Sequence, residues 1–162
     1  MKFLTDCMLG RLTRFLRIFG YDTIFAKDLE KEDNVAIPDD DLVEFARNEN
    51  RVVITKDKLL SKKASPSSVF LEGEDVYDYL RQIKARFKNE FQFELKNARC
   101  SICNSTLNRV KNKKMIKELV NKGTYDNIEE FYQCSNTNCR KVYWYGTHIE
   151  DILSKIKHIE VE

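Results

Sequence analysis

The sequence predicts an α/β protein in which a parallel sheet flanked by helices is followed by a small cysteine-bearing unit and a C-terminal helix. Three observations carry this reading. Short apolar runs alternate with stretches of helical period through residues 1–90, as in consecutive βαβ units. Val52-Val53-Ile54-Thr55 is an unbroken β-branched run, as a strand buried on both faces requires. Cys100, Cys103, Cys134 and Cys139 form two close pairs beyond that region.

The elements follow in order. Phe3-Leu4 is a short first strand that ends at Asp6. From Met8 the period changes: Leu9, Leu12, Phe15, Leu16 and Phe19 share one arc of a helical wheel and Arg11, Arg14 and Arg17 the opposite arc. Gly20 stops that helix, and Thr23–Ala26 is the second strand. Residues 27–38 are polar and end in Pro38, a loop. Asp39-Asp40-Asp41 opens a helix to about Asn48, with Asp39 expected as its N-cap and the other acids favouring the dipole. Val52–Thr55 is the third strand, with Lys56-Asp57 just past its end. A short helical piece near Leu59–Lys63, a Ser/Pro loop, a fourth run Val69-Phe70-Leu71 and a helix from Asp75 to about Phe87 complete the first unit. Phe91–Leu95 alternates like a strand. Lys111–Lys122 has helical spacing with Gly123 as its stop, Tyr143-Trp144-Tyr145 alternates as a strand, and Ile149, Ile152, Leu153, Ile156 and Ile159 line an amphipathic helix that packs back on the body. The units expected are residues 1–90, 97–148 and 149–162.

At 162 residues, 42% hydrophobic and 33% charged, the chain is too apolar to stay disordered. No run reaches bilayer length and the opening residues do not resemble a signal peptide, so no membrane partner and a cytoplasmic location are expected. A net charge of +2 requires any nucleic-acid surface to come from local clustering. The arginines after Asp6 are one cluster; Arg109, Lys111, Lys113, Lys114 and Lys117 are another, which reads equally well as a solvated helix face.

Gaps of two and four residues within the cysteine pairs let each pair curl around one ion, so four thiolates in tetrahedral array around structural Zn²⁺ are expected. Cys7 stands apart and reads as a buried structural thiol. Open α/β sheets place working residues at the carboxyl ends of their strands, where Asp6 and Asp57 both stand, with the 39–41 cluster as a third source of acid. Such carboxylates suit Mg²⁺ or Mn²⁺. The alternative is that Asp39 merely caps its helix and Asp57 forms a turn. Asp22, Asp28, Asp33 and Asp75 read as surface or capping residues.

Leu4-Thr5-Asp6, Leu9-Gly10-Arg11-Leu12, Leu16-Arg17-Ile18-Phe19-Gly20-Tyr21-Asp22, Asp39-Asp40-Asp41-Leu42 and Arg51 through Asp57 occur in an order and spacing that resembles the Mut-seven C-terminal RNase family, a branch of the PIN-like nucleases. The likeness continues through Arg99-Cys100, Cys103-Asn104, Leu107 and Val142–His148. It implies a PIN-like parallel sheet flanked by helices, followed by a small zinc ribbon and a C-terminal helix. It further implies that Asp6, Asp57 and an acid of the 39–41 cluster, best Asp39, hold Mg²⁺ or Mn²⁺ for RNA phosphodiester hydrolysis. The second cysteine pair is longer than the usual form, and no fourth acid follows Asp57 where such sites commonly have one. Arg11, Arg14, Arg17, Lys113, Lys114 and His148 are the expected RNA contacts. The expected activity is endonucleolytic; the rival reading is a non-catalytic RNA- or ribonucleoprotein-binding module on the same fold.

Overall fold

Phe3 and Leu4 are adjacent in the chain and therefore point to opposite faces of a strand, and each founds one of the two cores of the larger half. The structure, a computed structural model, describes residues 1–30 and 35–160; Asp33 and part of the loop expected over 27–38 lie outside the described residues. Strands β1 (Lys2–Thr5), β2 (Asp22–Phe25), β3 (Val52–Thr55) and β4 (Ser68–Phe70) form a wholly parallel sheet in the order β2-β1-β3-β4. The chain steps outward from β1 to β2, then returns past β1 to β3. The strand order therefore reverses between β1 and β3, where open α/β sheets leave a crevice at the carboxyl edge.

Helices α1 (Gly10–Ile18), α4 (Val76–Phe87) and α6 (Thr147–Glu160) cover the Phe3 face, burying Leu12, Leu16, Leu80, Ile83, Ile152 and Ile156 with Ile54 and Leu71. Helices α2 (Asp39–Asn48) and α3 (Lys58–Lys63) cover the Leu4 face through Leu42, Val43, Ala46 and Leu60 against Val53. The C-terminal helix packs back on the body as its isoleucine stripe predicts; each fully buried isoleucine contributes roughly 1.5–3 kcal/mol. Gly20 ends α1 at φ +84, and a Cβ there would lie 2.9 Å from the Asn97 carbonyl oxygen, so only glycine both turns the chain and lets the later segment pass. No described helix is long and apolar enough to cross a membrane.

The second sheet is antiparallel, β5 (Leu107–Arg109), β6 (Phe131–Cys134) and β7 (Val142–Trp144) in sequence order. Its core consists of Ile116, Phe131 and Val142 with a few half-buried neighbours. A core of that size cannot by itself hold a unit together, which is the circumstance in which small domains use metal.

Two elements differ from the sequence reading. Phe91 and Phe93 are both buried, as alternation requires, but residues 91–95 join no sheet. Side chains take the place of a ladder: the Gln92 amide donates to Tyr21 Oη at 2.6 Å, Tyr21 Oη donates to the Gln92 carbonyl, and Lys84 Nζ donates to the Phe91 carbonyl. The Tyr21 and Phe91 rings stack at 4.6 Å. The helix expected over 111–122 is instead a 3₁₀ segment, Lys113–Leu119, followed by α5 (Lys122–Asn127), which contains Gly123. Only Ile116 of that segment is buried, while Met115 and Leu119 are exposed, because the small core accepts one residue from it.

Candidate active site and metal centre

Asp6 and Asp57 flank the point where the strand order reverses, one after β1 and one after β3. Both also do local work. Asp6 Oδ1 accepts from the Met8 amide at 2.8 Å and caps a 3₁₀ turn, Cys7–Leu9; Asp57 Oδ1 accepts from the Leu59 and Leu60 amides at 2.6 and 3.1 Å and caps α3. A buried threonine joins them. Thr55 Oγ1 donates to Asp6 Oδ2 and accepts from the Asp57 amide at 2.8 Å, and the Lys56 amide donates to Asp6 Oδ2. In the sequence Thr55 reads as one more β-branched strand residue; its position two before an acid is the available signal. Capping does not exhaust a carboxylate, which has about four acceptor positions, and among the described residues Asp57 Oδ2 has no hydrogen-bond partner.

Asp39 is not the N-cap of α2: Pro38 occupies that position and Asp39 is the first helical residue, with no side-chain cap. Asp39 and Asp40 share the Lys63 ammonium, at 3.5 and 3.1 Å. The hydrogen bond with Asp40 leads the effects that raise the pKa of Lys63. Among the described residues, the carboxylates of Asp6, Asp39 and Asp57 are not drawn into a tight group comparable to the cysteine cluster. Cys7 is exposed, not buried, and its sulfur lies 3.8 Å from Glu30 Oε1; desolvation, then Glu30 and Asp6, push its pKa up. Asp75 caps α4 through the Tyr77 amide.

The four paired cysteines gather with all their sulfurs within 4.8 Å of one another. Tetrahedral zinc with Zn–S bonds of about 2.3 Å places sulfurs about 3.8 Å apart; Cys100–Cys139 at 3.7 Å and Cys103–Cys134 at 3.4 Å fit that spacing. The cluster could hold zinc. Burial pushes the Cys103 thiol up, but hydrogen bonds with Ser105 and the neighbouring thiols outweigh it and bring its pKa down to about 6. Burial carries Cys134 the other way, to about 12. Tyr143, expected as a strand residue, places its hydroxyl 3.1 Å from the Cys100 sulfur, where it can donate to a thiolate.

Arg17 departs most from expectation. It is buried, and its guanidinium is fully engaged: Nε donates to the Thr23 carbonyl at 2.9 Å, Nη1 to the Ser101 and Ile102 carbonyls at 3.2 and 2.7 Å, and Nη2 to Asp28 at 2.8 Å. Ser101 and Ile102 lie between the first two cysteines, so this arginine fastens the knuckle to the sheet and is not presented to a ligand. Asn104, at φ +64, adds a second fastening: its Oδ1 accepts from the Thr23 amide and its Nδ2 donates to Asp22. Asp22, read as a surface or capping residue, is half-buried and pairs with the buried Arg51 at 2.8 Å.

Burial raises the Asp22 pKa, but hydrogen bonds from Arg51 and Asn104 and the charges of Arg51 and Arg99 outweigh it, so the folded value lies below the ordinary aspartate value. A carboxyl depressed on folding stabilises above its unfolded pKa and loses that contribution as pH falls through the folded one. We expect acid titration below about pH 4 to loosen the junction, and Asp22→Asn to flatten that part of the stability–pH curve; parallel curves for the two proteins would refute it.

Of the other expected RNA contacts, Arg11, Arg14 and His148 line one groove of about 640 Å³ between α1, β7 and α6. Lys113 is turned onto the Tyr125 and Phe131 rings, 4.8 and 5.7 Å from their centroids, while Lys114 is exposed.

A family model described as the Mut7-C RNAse domain matches residues 1–156. The chain belongs to that family. The match spans both sheets, the cysteine cluster and most of α6, so the Mut7-C domain includes the ribbon-like unit along with the parallel sheet. A ribonuclease-type function and RNA as substrate follow from membership. No curated protein and no solved structure matches the chain.

Proposed function

We propose that this Mut7-C domain is a metal-dependent endoribonuclease working at the carboxyl edge of β1 and β3, with Asp6, Asp57 and Asp39 as the carboxylates that hold Mg²⁺ or Mn²⁺. The observation that supports the reading most is the Thr55 bridge, which ties the Asp6 carboxylate to the Asp57 backbone amide at the carboxyl edge of β1 and β3. Oxygen donors suit a hard cation, and the free Asp57 Oδ2 is a ligand atom with no competing partner among the described residues. When bound, the cation supplies an activated water and charge stabilisation for phosphodiester hydrolysis. Asp6 is held rigid by the Met8 and Lys56 amides, and Asp39 would join by leaving Lys63. Arg11 and Arg14 hold the RNA backbone beside the acids, the zinc-bearing unit grips the strand, and a reducing, cytoplasmic setting keeps its thiols available.

The test is cleavage of an unstructured RNA by the zinc-loaded chain in Mn²⁺. Asp6→Asn and Asp57→Asn are each expected to lower cleavage by at least about a hundredfold, as for loss of a principal charge-stabilising group, with RNA binding retained. Undiminished cleavage in both variants would sink the assignment. The lysine-held Asp39 and Asp40 favour a second reading, a non-catalytic module that binds RNA or a ribonucleoprotein. Salt-sensitive RNA binding without cleavage in Mg²⁺ or Mn²⁺ would select it.

A further inference from the structure

Trp144 stands on a ridge between two grooves that share Ile18, Tyr143, Trp144 and Ile149 as walls. The first contains Arg11, Arg14, Lys141, Lys155 and His148, and its one acid, Asp151, is paired with Lys155 at 2.7 Å. Arg14 has no hydrogen bond or ion pair among the described residues, and Arg11 makes only a ring contact with Phe15, 5.8 Å from its centroid. The second groove, about 610 Å³, is lined mainly by apolar and aromatic groups, with Lys96 and Arg99 also in its wall. Tyr132, Trp144 and Tyr145 all line it, and their relative exposures of 36%, 37% and 55% set them apart from the buried Phe131 and the half-buried Tyr143. Its acid, Glu130, is already engaged by Tyr132 and Arg109. Cations that lack partners suit phosphates; exposed rings across a shared ridge suit the flat faces of bases.

We propose that the Tyr132–Trp144–Tyr145 groove is a nucleobase-stacking subsite, taking unpaired bases of the RNA strand whose phosphates cross Arg11 and Arg14. This rests on the reading of the chain as an RNA-acting domain. A duplex buries its base faces in its own stack and offers the groove nothing to hold, so the subsite admits single-stranded segments. Gly146 helps to shape it: a Cβ there would lie 3.1 Å from the Trp144 indole, so glycine leaves room for the ring against the backbone.

Trp144 is the only tryptophan in the chain, so its fluorescence reports the subsite directly. The zinc-loaded chain, with no Mg²⁺ or Mn²⁺ added, is titrated with an oligouridine of about twelve nucleotides and with an RNA duplex of equal length. Quenching by oligouridine but not by duplex is expected. Tyr145→Ala, at an exposed position, and Trp144→Leu are expected to weaken oligouridine binding by about ten- to a hundredfold with an unchanged salt slope. Arg14→Ala should reduce that slope by about one. Oligouridine binding without change in Trp144 fluorescence, or with full affinity in Tyr145→Ala, would overturn the subsite. Quenching by a strand that is never cut supports the subsite while the nuclease reading fails, and cleavage with an unquenched Trp144 does the reverse.

Discussion

Zinc-loaded protein stripped with a chelator is expected to lose amide protection throughout the cysteine-bearing unit and also at Thr23, a residue of the parallel sheet. The unit's own core is Ile116, Phe131 and Val142. Structural zinc contributes about 10–16 kcal/mol in small metal-dependent folds, more than such a core supplies, so its removal unfolds the unit. The Thr23 effect follows from the junction: its amide has Asn104 Oδ1 as acceptor, and Asn104 directly follows Cys103. The sheet has two cores of its own, so Val53 and Ile54 should stay protected. Hydrogen exchange measured residue by residue checks this, and a Thr23 amide equally slow before and after chelation would show that the two halves are not coupled.

Replacing Arg17 with Met is expected to cost about 3–5 kcal/mol, the range for removing one partner of a buried charged network. The Asp28 contact is half-exposed and contributes little of this. Most comes from the buried Thr23 carbonyl, left without a donor at about 1–3 kcal/mol, and from the part-buried Ser101 and Ile102 carbonyls, which lose a charged donor and with it the tie between knuckle and sheet. In a chain of this size each kcal/mol moves Tm by roughly 2–4 °C, so a fall of at least about 6 °C is anticipated by calorimetry. A Met variant that melts with the parent but binds RNA less tightly would return Arg17 to the role its position on the helical wheel suggests.

Arg17 also shows where sequence reasoning stops. Its place opposite Leu12 and Leu16 on the wheel makes it look solvent-facing with Arg11 and Arg14, and only the later half of the chain, folded onto that surface, withdraws it. Asp22 and Asn104 are obscured in the same way, because Asn104 meets Asp22 and Thr23 about eighty residues distant and Asp22 meets Arg51 across the sheet. Asp39 differs: its helix was legible, but its place within the first turn and its capture by Lys63 depend on how α2 lies against α3.

The sequence by itself determined the alternation of strands and helices, the stripes that bury Leu16 and Ile152, the paired cysteines, and Asp6 and Asp57 at strand ends, because period and local spacing are properties of neighbouring residues. Tertiary structure decided that β3 lies beside β1, which brings Asp6 and Asp57 to one edge of the sheet with Thr55 between them. It also decided that Trp144 and Arg14 line one groove and that Arg17 is a fastening. These relations depend on packing between distant segments, where burial and unmet hydrogen bonds select the partners, and no periodicity encodes that selection.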